Sequence, residues 1–229
     1  MSQSLLSRAA SSKAKKPTPQ KSSGAAASGE KPAVAEDAGL KSKLLASLFE
    51  KGDAGQPFTV LDVGPAVPET VAYFNRYRCK LHFIDLYSER AVNTQKQHTQ
   101  KALMLKHFKR LLAFKADTQF DVCLFWDFLN YLDGAALEAF GEALRPYIHH
   151  GTKAHGFGVL NAKTALADLR YGVRSHEWIS TRPRSSRGLT CFPHSQTALK
   201  DKLSGFDIDR GTLLSDGRLE ILFKGAQPD

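Results

Sequence analysis

Three groups of residues in this chain have the types and spacing to do chemistry. The stretch Thr59-Val60-Leu61-Asp62-Val63-Gly64-Pro65-Ala66-Val67-Pro68-Glu69-Thr70 is an apolar run that ends on a carboxylate, a glycine turn and a helix start. One helix's length further on, Leu81-His82-Phe83-Ile84-Asp85 closes on a second carboxylate. Carboxylates accept hydrogen bonds from vicinal hydroxyls, and the carboxyl ends of parallel strands are where open α/β sheets bind nucleotide-like molecules. The pair therefore reads as a nucleoside site. The third group, Trp126-Asp127-Phe128-Leu129-Asn130-Tyr131, sets donors and acceptors beside aromatic surface, as a ligand pocket requires.

The elements that must hold these groups follow from periodicity. Phe58–Val63, Lys80–Leu86 and Phe120–Asp127 read as strands, the last so continuously apolar that it belongs in the middle of a parallel sheet. Pro68 opens a helix to about Arg76, since a proline's missing N–H leaves no intrahelical bond unmade in the first turn. Leu40, Leu44, Leu45, Leu48 and Phe49 predict a helix between Gly39 and Lys51, ended by Gly52. A long helical stretch begins at Ser88-Glu89-Arg90, broken near Thr94–Thr99, and Leu111–Lys115 is only a weak third strand. A helix at Ala135–Ile148, a strand at His155–Leu160 and a basic, loop-rich passage over Asn161–Pro193 come next. A helix at His194–Ser204 then leads to a hairpin of Phe206–Leu214 and Arg218–Lys224, turned through Ser215-Asp216-Gly217. The fold class is α/β: a Rossmann-like three-layer sandwich, mostly parallel, with a C-terminal antiparallel hairpin.

Over residues 40–225 this order, with Asp62, Gly64 and Asp85, resembles the class I S-adenosylmethionine-dependent methyltransferases. The resemblance implies S-adenosylmethionine as cofactor, a cradle from Asp62, Gly64, Ala66, Asp85, Trp126 and Asp127, and methyl transfer to an unknown small-molecule or macromolecular acceptor. In that family the glycine-rich turn lets backbone approach the methionine portion of the cofactor. Here Gly64, Ala66 and Pro68 stand where its three glycines fall, and Pro68 removes an amide donor. Asp127 to Tyr131 resembles the Asp/Asn-Pro-Pro-Tyr signature of amino-group methyltransferases without its prolines. Asp127, Asn130 and Tyr131 are the catalytic candidates, with no base assigned. Other roles stand beside these: Asp85 as a helix cap, Asp62 bonded to turn amides, Trp126 and Tyr131 as core.

Arg170, Arg174, Arg182, Arg184 and Arg187, with His176 and Trp178, suit an anionic substrate or nucleic acid, or simply form a solvated charged loop. Arg174, Trp178 and Arg182 are the substrate-binding candidates. No metal is expected: His149, His150 and His155 lack ligand spacing, and Cys79, Cys123 and Cys191 form neither a zinc pattern nor a disulfide framework. The net charge of +9 favours acidic partners without specifying one. Residues 1–38, rich in Ser, Ala, Lys and Pro and free of aromatics, read as a disordered basic tail, leaving 39–229 as one methyltransferase-like domain. No apolar run reaches membrane-spanning length, and reduced cysteines suit the cytoplasm. Two other function classes compete with the enzyme: a catalytically silent methyltransferase-like binding or scaffold module, favoured by Pro68 and the weak third strand, and a nucleic-acid-binding protein.

Overall fold

The computed structural model describes residues 38–93, 100–161, 166–184 and 189–226. The expected tail lies outside these residues, apart from Ala38. A six-stranded sheet is built from β2 (Phe58–Asp62), β3 (Cys79–Phe83), β4 (Phe120–Trp126), β5 (Ile148–Val159), β8 (Phe206–Leu213) and β9 (Arg218–Gly225). Its order is β3-β2-β4-β5-β9-β8, the first four strands parallel and β9 antiparallel to both its neighbours. A second sheet, β1 (Ala38–Lys41), β7 (Trp178–Pro183) and β6 (Leu169–Val173), is antiparallel and ordered β1-β7-β6. The helices are α1 (Glu50–Asp53), α2 (Pro68–Phe74), α3 (Arg90–Asn93), α4 (Lys101–Leu111), α5 (Gly134–Leu144) and α6 (Gln196–Lys202).

Strand alternation divides the core into two layers. Leu61, Cys123, Phe125, Ala154 and Phe223 face a cluster with Phe108 of α4, Phe140 of α5 and Leu199 of α6. Val60, Val122, Leu124, Trp126, Phe157 and Leu222 face the other way, toward Leu45, Phe49, Phe74, Tyr171, Val173 and Ile179. β4 serves both layers, which is why its sequence is apolar at almost every position. Side-chain caps start two helices: Asp133 accepts from the Ala136 amide at 2.8 Å and Ser195 from the Ala198 amide at 3.1 Å.

The sheet and its C-terminal hairpin are as the sequence predicts; the differences lie around it. In place of a helix over 39–51 the chain makes β1, a 3-10 turn at Leu45–Leu48 and the single turn α1. Leu40 pairs with Ile179 across β1 and β7, and Ser42 Oγ accepts from the Leu44 and Leu45 amides while donating to buried Glu220. Strand pairing and a buried carboxylate thus override the helical spacing of the leucines, of which Leu44, Leu45 and Leu48 are buried all the same. The passage read as loop-rich forms β6 and β7. The Leu111–Lys115 segment is no strand, so among the described residues β3 remains the sheet's edge. The helix expected to reach Ile148 ends at Leu144, and after a 3-10 turn at Arg145–Tyr147 the chain enters the longer β5.

Candidate functional site

Chain order reverses around β2: α2 carries the chain to β3 on one side, and the chain then returns to β4 on the other. The crevice outside the carboxyl ends of β2 and β4 is therefore the topological switch point, where α/β sheets bind ligands. Asp62 and Trp126 are the last residues of those two strands.

Asp62 is fully buried. Its Oδ1 accepts from the Gly64 amide and from Trp126 Nε1, each at 2.8 Å, whereas Oδ2 has no partner. Burial pushes its carboxyl up to about 7, against the two hydrogen bonds and with help from the charge of Asp85. Asp85 follows β3, where the chain continues alongside β2 through the Ile84 amide on Asp62 O at 2.9 Å and the Leu86 amide on Val63 O at 3.0 Å. Its side chain caps nothing in the following 3-10 turn, and its buried Oδ1 likewise lacks a partner. Two carboxylate oxygens held out of water without donors are a costly arrangement that a ligand bearing hydroxyl or ammonium groups would relieve. Gly64 fits the same cradle, since a Cβ there would come within 3.2 Å of Asp62 Oδ1 and 3.6 Å of the indole. Ala66 is exposed, and Pro68 occupies the first turn of α2. Asp62 and Asp85 thus leave two buried acceptor oxygens without hydrogen-bond donors at the switch point beside Gly64.

Trp126 has φ of 50°, a left-handed conformation costly for a bulky side chain and found where the surroundings enforce it. Its indole is buried and stacks on Tyr171 of β6, with ring centroids 5.5 Å apart and planes at 11°. The next residue, Asp127, is enclosed by three phenols. Tyr87 donates to Oδ1 at 2.7 Å, and Tyr131 and Tyr171 donate to Oδ2 at 3.1 Å each. Burial raises its carboxyl above the ordinary value, while these bonds and the charge of Arg184 pull the other way. The Arg184 guanidinium lies 3.6 Å over the Tyr87 ring and pairs with Asp168 at 3.2 Å. Arg218 donates to the Tyr171 hydroxyl at 3.1 Å and is held by Asp216 at 2.7 Å.

Asn130, by contrast, is committed to backbone: its amide donates to Asp127 O at 2.9 Å and Phe157 O at 2.7 Å and accepts from the Val159 amide at 2.9 Å. Of the substrate-binding candidates, Arg174 and Trp178 line a surface cavity with Ser175, while Arg182 is paired with Glu69 of α2. Arg187 lies outside the described residues. His149 and His150 lie on β5, and His155 is buried against Glu220 at 2.9 Å. Among the described residues no group of three or more His, Cys, Asp or Glu could hold a metal ion. The sequence reading did not single out Tyr87, Tyr171 or Arg218. The alternation of Leu169, Tyr171 and Val173 marks β6 as a half-buried strand, but nothing in it names Asp127 as the partner.

The described residues form a Rossmann-like α/β arrangement, a mostly parallel sheet with a C-terminal antiparallel hairpin. No protein-family profile and no curated protein matches the chain. Among solved structures it is similar to the pyocyanin biosynthetic protein PhzM, at 13% identity and TM-score 0.41 over 80% of this chain and 54% of that one. The chain therefore spans about half of that protein's length. It is also similar to the Burkholderia thailandensis 1,6-didemethyltoxoflavin-N1-methyltransferase, at 12% identity and TM-score 0.42 over 81% of this chain and 78% of that one. For the glycopeptide N-methyltransferase MtfA the figures are 15% and 0.40, over 82% and 97%. Among the described residues no helix is long and apolar enough to cross a membrane.

Proposed function

We propose that the chain is an S-adenosylmethionine-dependent methyltransferase. The observation that carries this reading is the pair of buried, donorless oxygens, Asp62 Oδ2 and Asp85 Oδ1, at the switch point beside Gly64. In this reading Asp85 takes the ribose hydroxyls and Asp62 lies nearer the amino group of the methionine portion. The bound sulfonium supplies the methyl group, and the protein's part is chiefly to orient donor and acceptor, which needs no catalytic triad. Arg174 and Trp178 are the proposed outer contacts for the acceptor. Calorimetric titration and thermal unfolding with S-adenosylmethionine and S-adenosylhomocysteine test it. Saturable binding with stabilisation is expected, and neither heat nor stabilisation with either ligand would reject it.

One observation favours a second reading, a silent methyltransferase-like binding module: Tyr171 and two further phenols enclose Asp127 completely. Such a module would bind neither ligand, so the same titration separates the two.

A further inference from the structure

We infer that the amino end of the sheet binds single-stranded nucleic acid, its phosphates along a basic rim of α4 and β3 and one unstacked base in a surface cavity beside Tyr77. This surface lies at the opposite end of the strands from the Asp62–Asp85 crevice and shares no residue with it.

Topology gathers the rim. α4 carries the chain back from the carboxyl end of β3 to the start of β4, so its last turn lies at the amino ends of those strands. Phe114, just past α4, fixes the join: its ring packs edge-on against His82 of β3, with centroids 5.3 Å apart, and against Phe120 of β4 at 4.9 Å. Lys80 is on the same face of β3 as His82. Burial and then the charge of Lys80 hold the His82 ring below its usual value, as a nearby ammonium must. Exposed Lys106, Lys109 and Arg110 of α4, Lys115 after it, and Arg78 and Lys80 at the start of β3 therefore border one end of the sheet. Lys106 and Arg110, about 6 Å apart along the helix axis, are spaced to meet separate phosphates.

The charge at this end is free. Among the described residues none of these cations pairs with a carboxylate, and neighbouring acids are engaged elsewhere: Glu89 with His107 at 3.2 Å, and Asp121 with Lys51, His149 and the Thr59 amide. Exposed Asp117 is the exception. The negative end of the helix dipole accounts for Lys109 and Arg110 in the last turn of α4, but not for Arg78, Lys80 or Lys115. The arginine-rich passage offers less, because Arg182 and Arg184 are taken by Glu69 and Asp168.

The cavity, of about 420 Å³, supplies the second element; Phe58, Tyr77, Arg78, Lys80 and Asp121 are among its walls. A cationic track beside an aromatic-walled hollow suits a single strand, whose bases are free to leave the stack, whereas a duplex hides them. Past Leu103 the exposed face of α4 has no large apolar side chain to anchor a folded acidic protein.

The test is fluorescence anisotropy of a labelled oligo(dT) of about twelve nucleotides, titrated with the full chain. Saturable binding that weakens with salt is expected. The combined variant Arg78→Gln, Lys80→Gln, Lys115→Gln should lose at least about tenfold in affinity at about 50 mM salt, and its log–log salt slope should fall by about 2, since each phosphate contact on a single strand contributes about 0.7. Arg170→Gln, Lys200→Gln, Lys224→Gln removes the same charge from exposed positions elsewhere and should stay within about twofold of wild type. Basic residues before Ala38 are present in every arm and cancel. Absence of saturable binding, or equal losses in the two combined variants, would overturn the proposal, the latter because net charge alone would then explain the attraction. Displacement by polyglutamate at equal charge concentration would replace nucleic acid with an acidic protein partner. A blunt duplex bound as tightly as the single strand would take the cavity beside Tyr77 out of the site. No arm contains S-adenosylmethionine, so failure here is separate from failure of the methyltransferase reading.

Discussion

Trp126 Nε1 donates to Asp62 Oδ1 at 2.8 Å and joins the carboxyl ends of β4 and β2. The bond gives the left-handed backbone at Trp126 a purpose, because the indole must reach back across the crevice to a buried carboxylate while its face is offered to Tyr171. It also links the two buried acids through one side chain: Asp62 lies at its edge, Asp127 follows it in sequence, and Tyr171, which donates to Asp127, covers its face.

The Asp62 carboxyl makes stability depend on pH in a definite direction. Its value in the fold, about 7, lies above its ordinary 3.8, so the folded state holds a proton that the unfolded state releases between those limits. The contribution is full below the lower value and is lost as pH rises through the upper one. Asp62→Asn keeps an oxygen for the Gly64 and Trp126 donors and cannot ionise. Urea unfolding at about pH 5 and about pH 8 should therefore show the wild type losing more stability than the variant, by at most about 4 kcal/mol across the whole range. Parallel pH profiles would mean that Asp62 does not titrate there.

Asp85→Ala separates ligand binding from folding. The residue caps no helix and its buried Oδ1 makes no hydrogen bond, so the fold loses little. Removing its charge lowers the Asp62 carboxyl only a little, because burial is the main cause of its rise. Affinity for S-adenosylmethionine should drop about tenfold or more, because charge-assisted bonds to the ribose disappear. Calorimetry checks the first effect and urea unfolding the second. Unchanged affinity would take Asp85 out of the site.

The strand-end carboxylates were legible because parallel strands, buried on both faces, write themselves as apolar runs, and an acid closing such a run stands out. Leu81–Asp85 and Phe120–Asp127 are of that kind. Long-range pairing is not written locally. Leu40, Leu44 and Leu48 have helical spacing, yet the Leu40 partner, Ile179, and the Ser42 partner, Glu220, are far along the chain and decide the conformation. β6 and β7 were hidden in an arginine-rich passage, where exposed Arg170 and Trp178 sit beside buried Tyr171 and Ile179. Of the three phenols on Asp127, Tyr131 belongs to the motif that carries the acid, but Tyr87 and Tyr171 come from distant parts of the chain and no motif could announce them.

Asp127→Asn should be costly without being an unfolding lesion. An amide has a single acceptor oxygen for Tyr87, Tyr131 and Tyr171, and it leaves Arg184 and Arg218 short of a buried counter-charge. A loss of about 2–4 kcal/mol is expected from urea midpoints. Burial and then the Asp127 charge hold the Tyr87 and Tyr171 phenols well above the ordinary value, so the variant should bring both down in an ultraviolet pH titration. Unmoved phenols would mean that the carboxylate is not charged in their midst.

Gly172 offers the most direct handle on the sheet that carries Tyr171. A Cβ at that position would come within 2.7 Å of Val67 Cγ2, 2.8 Å of Ser180 Oγ and 3.3 Å of Thr70 Oγ1. Val67 precedes α2 and is buried, so it has little room to give, and Gly172→Ala must lift β6 from the start of that helix. The expected cost is about 1–3 kcal/mol, typical of an overpacked contact. Tyr171 is the adjacent residue, so the lift should loosen its stack on Trp126 and raise amide exchange over Leu169–Val173. In a Trp178→Phe background the emission of Trp126 should change while the unfolding transition remains cooperative. Unchanged emission and exchange would show that close packing of β6 on α2 contributes nothing to holding Tyr171 against Trp126.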